Sequence, residues 1–374
     1  MIVPEIIWQG VFVAFCLVTL IQIVYYLYFF RRLAFYKEEE KNEIIEQPVS
    51  IIICAKNEAG NIAKNLPGVL FQNYKTTHEV ILVNDNSDDD SKYVIDEYKK
   101  DFKNLVQIDL VQEAKFIAGK KFPLSMGIKS SKYETLLLTD ADCVPASEYW
   151  LSKMQNAYKE GIEIVFGYGA YSKKPGILNK LIRFETFHTA LQYFSYALAG
   201  MPYMGVGRNL SYKKDVFLRN KGFSSINHVQ SGDDDLFINK VATKINTAIV
   251  IDKDAHTTSE PKKTFSNWIK QKNRHYTTAA FYKPKHKMLL GLYASSLSLF
   301  YPLMVLSIIF FSWWIALSVY ALRVIFQAPI YIKSMKKLNE KDLIPWFWLL
   351  DFWMFFYQLF FVSALFKKPK SNWN

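Results

Sequence analysis

The sequence predicts an α/β fold, a mostly parallel sheet flanked by transmembrane helices, and three observations carry that prediction. Short β-rich runs, VSIIICAKNEAGNI, HEVILVNDNSDD, LVQIDLV and ETLLLTDADCVP, alternate with polar stretches of helical character such as Ala59 to Phe71 and Lys92 to Lys103, which is the pattern of βαβ units. The runs stop abruptly at turn residues, as buried parallel strands do. The composition is apolar for a soluble protein, 51% hydrophobic and 16% aromatic over 374 residues, and the excess gathers at the two ends.

At the N-terminal end, Ile6 to Phe30 is an apolar run of about 25 residues without a charge, against the roughly 20 that a bilayer core requires. Arg31 and Arg32 follow it and no small-residue cleavage site is evident, so it reads as a retained span with its basic end in the cytoplasm, not as a signal peptide. A second zone opens near Met288. It holds two spans, about Leu289 to Phe311 and Trp313 to Ile332, then a basic break at Lys333 to Lys337, then an apolar segment from Ile344 to Phe366. If all three cross, the closing Lys367 to Lys370 lies outside, against the positive-inside tendency, which points to a re-entrant or interfacial last segment. The expected organisation is a transmembrane helix with its basic flank over 1–36, a charged linker over 37–48, a cytoplasmic domain over 49–275, and a membrane region with two or three hydrophobic segments over 276–374.

The formal charge of +12 sits beside the apolar segments instead of forming an isolated stripe, so membrane lipids are expected partners and nucleic acid is not. Three cysteines (Cys16, Cys54, Cys143) without CxxC spacing give neither a zinc site nor a disulfide framework, in keeping with a reducing compartment. Each reads as a small apolar filler.

In a parallel sheet the C-terminal strand ends share one edge, where open α/β sheets place their ligands. The residues that arrive there are Lys56, Asn57 and Glu58, then Asp85, Asn86 and Ser87, then Asp140 and Asp142. Taken singly each is ordinary turn chemistry; three such ends in one sheet point to a binding rim. Two carboxylates at i and i+2 on an extended turn can approach one hard cation, Mg2+ or Mn2+, whose coordination substrate phosphates complete. Lys120 and Lys121 in AGKKFPLSMGIKSSKYE are candidate phosphate contacts, as point charges, or a solvated basic turn. Gly200, Gly205 and Gly207 allow close backbone approach. In SGDDDLFINKVA three adjacent aspartates repel one another unless a cation or proton relieves them; one can be a general base, and helix capping is the competing reading. NWIKQKNRHYTTA reads either as an interfacial helix or as a segment that turns Gln271, Arg274 and His275 toward the leaving phosphates. Lys174 to Gly200 carries aromatics at helical spacing, which suits core packing or a place on the bilayer interface.

These motifs in this order resemble the membrane-bound family 2 glycosyltransferases, inverting enzymes of GT-A fold that use a nucleotide-diphospho-sugar, and the resemblance runs over nearly the whole chain. CAKNEAGNI is similar to the family's opening strand and turn, with Asn57 and Glu58 at the nucleoside. VNDNSDD resembles its Asp-Asp-Gly-Ser turn, with Asp85 at the uracil-binding position and Asn84 in place of the other Asp. The resemblance implies a UDP-sugar donor, Lys120 or Lys121 near the diphosphate, Asp142 as metal ligand, and Asp140 between metal and ribose or phosphate. GDDD resembles the motif that supplies the base; aligned by Leu236 the base is Asp233, aligned on the Gly-Asp-Asp form it is Asp234, with the first alignment preferred. QKNRH resembles the Gln-x-x-Arg-Trp element, retaining Gln271 and Arg274, with His275 at the tryptophan of the acceptor surface. That exchange and the small number of spans speak against a processive polysaccharide synthase. The implied activity is transfer of a sugar to a hydroxyl of a lipid-linked or envelope glycan acceptor at the cytoplasmic face of a bacterial inner membrane. A processive synthase and a catalytically decayed nucleotide-sugar-binding protein are the alternatives; a small transporter fits the large polar middle segment poorly.

Overall fold

The apolar runs become strands because their alternate residues are wanted on both faces of one sheet. The structure, a computed structural model, describes residues 5–38, 46–111 and 119–362. The chain opens with α1 (Glu5–Tyr25), which passes through a π-helical turn (Tyr26–Phe30) into α2 (Arg31–Phe35). There follow β1 (Val49–Ala55), α3 (Ala59–Leu70), β2 (His78–Asp85), α4 (Ser91–Asp101), β3 (Leu105–Leu110), α5 (Lys121–Ser130) and β4 (Thr135–Asp140). Shorter elements come next: β5 (Cys143–Pro145), α6 (Trp150–Gln155), β6 (Ile164–Phe166), β7 (Gly169–Tyr171), the long α7 (Ile177–Leu198), β8 (Leu210–Lys213), α8 (Lys214–Arg219), α9 (Asp235–Val241), β9 (Thr247–Ile249) and β10 (Thr257–Ser259). The chain closes with α10 (Phe265–Tyr276), α11 (Pro284–Phe310), α12 (Trp313–Lys337) and α13 (Phe347–Val362).

Seven strands form one sheet in the order β3-β2-β1-β4-β8-β6-β9, and β5, β10 and β7 form a second. β8 runs antiparallel to β4 and β6, and the remaining neighbours in the large sheet are parallel. A parallel sheet must be covered on both faces. Ile51 and Ile53 of β1 pack with Ile62 and Leu66 of α3, whereas Ile52 between them packs with Leu124 and Ile128 of α5. The fit of α5 depends on Gly127, where a Cβ would stand 2.8 Å from Ile52 Cγ2 and 3.1 Å from Val83 Cγ2.

Helix α7 is buried on nearly every side, which an apolar helix without a polar face requires. Tyr196 stacks on Phe29 with ring centroids 4.3 Å apart, and Phe184 and Phe187 pack on Tyr331 of α12. Its aromatics are therefore core, and the alternative of a helix lying on a bilayer interface is set aside. Arg183 in the same helix donates from Nε to Glu340 Oε2 at 3.0 Å and from Nη1 to Asp342 Oδ2 at 2.7 Å, tying α7 to the turn before α13.

Among the described residues four helices are long and apolar enough to cross a membrane: Glu5–Phe35, Pro284–Phe310, Trp313–Lys337 and Lys341–Phe361. α1 and α11 run antiparallel, with Trp8 stacked on Phe310 near one end and Tyr25 OH donating to the Leu289 carbonyl near the other. Among them lies a buried polar cluster. Arg323 donates from Nη1 to Asp351 Oδ2 at 2.7 Å and from Nε to Gln22 Oε1 at 2.6 Å, while Tyr301 OH and Gln327 Nε2 donate to the same Asp351 carboxylate. Apolar surroundings make such groups costly unless every one is paired, so the cluster fixes the register of four helices at once. The last helix meets other elements at both ends. Phe347 packs on Tyr331, and Trp353, Tyr357 and Phe361 pack on Trp268 of α10. Lys367 to Lys370 lie outside the described residues.

Removing one member of the cluster leaves an uncompensated charge. Asp351→Ala is expected to cost about 3–5 kcal/mol in detergent-micelle unfolding, whereas the double change Arg323→Met with Asp351→Leu costs less than either single change. Additive losses would contradict this account.

Candidate active site

The ends of β1, β2 and β4 are level because their registers place Cys54 beside Asp140 and Ala55 beside Asn84. The turns that follow are laced together. Asn57 and Asn86 both take left-handed backbone, φ 56° and 49°, which asparagine tolerates. The Asn57 N–H donates to Ser87 Oγ at 2.9 Å, its Oδ1 accepts from the Asp88 N–H at 2.8 Å, and the Glu58 N–H donates to Ser91 Oγ at 3.1 Å. Asn61 donates to the Glu58 carboxylate. Burial pushes the Glu58 carboxyl up, the Asn61 hydrogen bond opposes this, and the charges of Asp142 and Asp140 add to it. Asp85 accepts from Asn86 Nδ2 at 3.1 Å, and Asn84 Nδ2 is used across the sheet on Asp109 Oδ1 at 2.9 Å.

Asp140 ends β4, and Asp142 stands just before β5. The turn between them is fixed by Asn65 of α3, whose Nδ2 donates to the Ala141 carbonyl at 3.1 Å. Ligand atoms of Asp140, Asp142 and Cys143 lie within 4.8 Å of one another. Lys120 is ion-paired with Asp140. Burial would raise the Asp140 carboxyl, but Lys120 outweighs it, helped by Arg208 and Arg274, and holds it below the usual carboxylate range. Asp142 goes the other way: burial pushes it up and the Asp140 charge reinforces the shift. A pair of carboxylates in which the second ionises reluctantly is the donor set that a hard dication satisfies, so the residues fit Mg2+ or Mn2+. Cys143 does not extend that set. Burial pushes its thiol well up, and it donates to Asp142 Oδ1 at 3.3 Å as a neutral group.

Lys121 does not join Lys120. Its amine donates to the carbonyls of Val229 and Ser231, the latter at 2.8 Å, and so anchors the chain that leads into the acidic triplet. The expectation of a phosphate contact is corrected for Lys121, because a buried ammonium must spend its protons on whatever acceptors surround it.

The three aspartates are distinguished by their partners. Asp234 accepts from the Gly207 N–H at 2.9 Å and, as the cap of α9, from the Asp235 N–H at 2.7 Å. Burial, then the charges of Asp233 and Asp235, push Asp234 up to about 8. Asp235 is buried and accepts from Thr278 Oγ1 and, at 2.8 Å, from Tyr282 OH. Asp233 takes no hydrogen bond from the described residues, and its charge acts on Lys120 and Lys121.

Helix α10 has two faces. Its Trp268 is fully buried against α13, while Gln271 Nε2 donates to Tyr171 OH at 3.3 Å and the Arg274 charge reaches Asp140. His275 is exposed, with its carbonyl accepting from Thr278 Oγ1 at 2.8 Å. The motif GVGRN drew notice for its glycines. The structure adds its arginine: Arg208 stacks on Tyr171, and its charge acts on both Asp140 and Asp142. A lone arginine between a glycine and a buried asparagine was the available signal.

Residues 50–213 match the family described as Glycosyl transferase family 2. Glycosyltransferase AglE of Haloferax volcanii is 27% identical over 192 residues, 50% of this chain and 58% of its own length. The poly-beta-1,6-N-acetyl-D-glucosamine synthase of Staphylococcus epidermidis is 30% identical over 171 residues, 43% of this chain and 38% of its own length. The chain thus covers little more than half of the first relative and well under half of the second. A solved structure, the mannosyltransferase PcManGT from Pyrobaculum calidifontis in complex with GDP-Man and Mn2+, superposes with a TM-score of 0.62 at 17% identity, over 97% of this chain and 98% of that one, which shows a shared fold. Residues 50–213, which run from β1 to β8 and include the Asp140 to Asp142 turn, are thus a glycosyl transferase family 2 domain.

Proposed function

We propose that the chain is a membrane-anchored inverting glycosyltransferase that moves a sugar from a nucleotide-diphospho-sugar to an acceptor hydroxyl, on a lipid-linked or envelope glycan, by metal-assisted single displacement. One observation carries the reading: a lysine-paired DxD turn and an aspartate left without a hydrogen bond meet at the same sheet edge, both within electrostatic reach of Lys120. Asn57, Glu58 and Asp85 line the nucleoside end of that edge. Mg2+ or Mn2+ held by Asp140 and Asp142 supplies positive charge against the diphosphate of the leaving nucleotide. Lys120, Gln271 and Arg274 bind the same phosphates, and His275 faces the acceptor. Asp233 accepts the proton of the attacking hydroxyl as oxygen bonds to the anomeric carbon from the face opposite the departing phosphate, which inverts that centre. Asp234 is the weaker candidate because backbone N–H groups hold both of its oxygens at the start of α9, and Asp235 because it is buried under Thr278 and Tyr282. The donor base is open between uracil, to which Asp85 is suited, and guanine, which PcManGT binds as GDP-Man. Polymer synthesis is the second reading, favoured by the synthase from Staphylococcus epidermidis.

The same reading places three crossings and one helix along the interface. With Arg31 and Arg32 on the domain side, α11 leaves and α12 returns to bring Lys333 to Lys337 back to that side. α13 then runs between Tyr331 and the domain helix α10, and in this reading it lies along the seam instead of crossing.

Three outcomes are expected. With UDP- and GDP-sugars in turn and Mn2+ or Mg2+, Asp142→Asn and Asp233→Asn each lower turnover by about 10²–10⁴-fold with little change in thermal stability, and the labelled product is a single-sugar adduct; turnover unaffected by both changes would sink the mechanism, and long labelled chains would favour the synthase. Asp234 ionises above an ordinary carboxylate when folded, so the stability that it contributes is complete at low pH and is lost as pH climbs from about 4 to about 8. Without divalent metal, melting temperature should therefore fall over that window, and less steeply in Asp234→Asn; an unchanged slope counts against the assignment. Finally, the Ser371→Cys variant should react with an impermeant maleimide from the side that labels Lys100→Cys, and from the opposite side if α13 crosses.

A further inference from the structure

Arg208 has been given no role in binding or chemistry, yet its side chain is built into place more firmly than that of any residue on the acidic edge. Its carbonyl accepts from Thr139 Oγ1 at 3.0 Å and from Thr257 Oγ1 at 2.9 Å, which locks its backbone beside the residue that precedes Asp140. The next residue, Asn209, is fully buried and spends both ends of its amide, donating to the carbonyls of Tyr168 and Ala255 and accepting from Trp150 Nε1 at 3.0 Å. The guanidinium lies over the Tyr171 ring, 4.4 Å from its centroid, and Nη1 donates to Ser259 Oγ at 3.0 Å. Room for this comes from Gly169, where a Cβ would sit 3.3 Å from Nε and 3.5 Å from Cζ. Tyr171 in turn is held by Gln271.

All the partners that orient the guanidinium are neutral. Among the described residues Arg208 has no carboxylate within ion-pair distance, and Nε and Nη2 make no hydrogen bond. A cation whose purpose was to neutralise the DxD turn would pair with it, as Lys120 does with Asp140. Once a dication cancels the two carboxylates, Lys120 and Arg208 are left as surplus positive charge, which matches the multiple negative charge of a nucleoside diphosphate. A planar fork stacked on an aromatic ring is the geometry that grips phosphate oxygens bidentately.

We infer that Arg208, shelved on Tyr171 over Gly169, is a second cationic clamp on the donor's diphosphate, directed at the β-phosphate, whose oxygen leaves the anomeric carbon. The inference rests on the donor-sugar reading above, and the test separates the two. Binding of UDP, GDP, UMP and GMP, each with Mn2+, is measured by calorimetry on the full chain in detergent. In the wild type at least one diphosphate binds more tightly than its monophosphate. Arg208→Ala should weaken that diphosphate about 10–100-fold and leave its monophosphate and Mn2+ alone unchanged. Arg208→Lys recovers only part of the loss, for want of the fork and the stack. Gly169→Ala, which displaces the guanidinium without removing it, should act in the same direction at unchanged melting temperature, and so covers the case in which Arg208→Ala fails to fold. Equal losses for mono- and diphosphate, or no loss in any variant, would overturn the clamp while the donor reading stands. A wild type that binds none of the four nucleotides would overturn both.

Discussion

Repulsion among carboxylates is the constraint around which this domain is organised. Parallel strands in register bring Asp85, Asp140 and Asp142 to one edge, and the Asp233 to Asp235 triplet is folded back toward the same place. Nothing in the packing of a sheet asks for that. Apolar strands such as ETLLL would end as well on serine or asparagine, and burial at this edge, reinforced by the neighbouring carboxylates, makes Glu58, Asp142 and Asp234 harder to ionise. Stability is given up where these carboxylates crowd together, and a bound dication with a phosphorylated ligand would restore it.

Holding such an edge together calls for rigid support behind it. Backbone N–H groups and neutral side chains do most of this work: Asn65 on the Ala141 carbonyl, Asn57 and Ser87 on each other's turns, Gly207 on Asp234. The support reaches into the hydrophobic helices. Asp235 is bonded to Thr278 and Tyr282, which lie between α10 and α11, while Trp268 seats α10 on α13. The acidic turn, the Gln271 to Arg274 helix and the first C-terminal apolar helix are thus one mechanical unit, and α7 closes it from behind. A domain fixed in this way keeps one attitude toward the long apolar helices, which a membrane-borne acceptor would require.

Much of this was legible in the sequence because the relevant signals are local. β1, β2 and β4 are continuous apolar runs cut off by turn residues, and α3 and α4 begin within a residue of their expected starts. Less legible were features set by three-dimensional neighbours. Lys120 and Lys121 are indistinguishable by type and adjacent in the chain, but the start of α5 separates them, sending one to Asp140 and the other to the Val229 and Ser231 carbonyls. The aromatic spacing of α7 is the same for a core helix and an interfacial one; only the partners Phe29 and Tyr331, remote in sequence, decide it. Arg208 and Tyr171 carry no motif, because a cation stacked on a ring over a glycine is a relation between β7 and the turn before β8, well apart in the chain.

The acidic triplet shows how identical residues acquire different chemistry within one turn. Gly232, at φ 102°, takes a backbone conformation that few other residues adopt just ahead of the triplet, and the three side chains that follow find different partners. Asp235 enters the protein and finds hydroxyl donors; Asp234 turns onto the helix start and the Gly207 loop; Asp233 is left facing Lys120. The neighbours sharpen the difference. Since Asp234 gains its proton so readily, the Asp233 carboxylate is spared a full negative charge next to it in the metal-free state, yet it remains the only member of the three without a hydrogen bond from a described residue. A base must be free to move to its substrate, and the two aspartates that follow are held by hydrogen bonds of the fold while Asp233 is not.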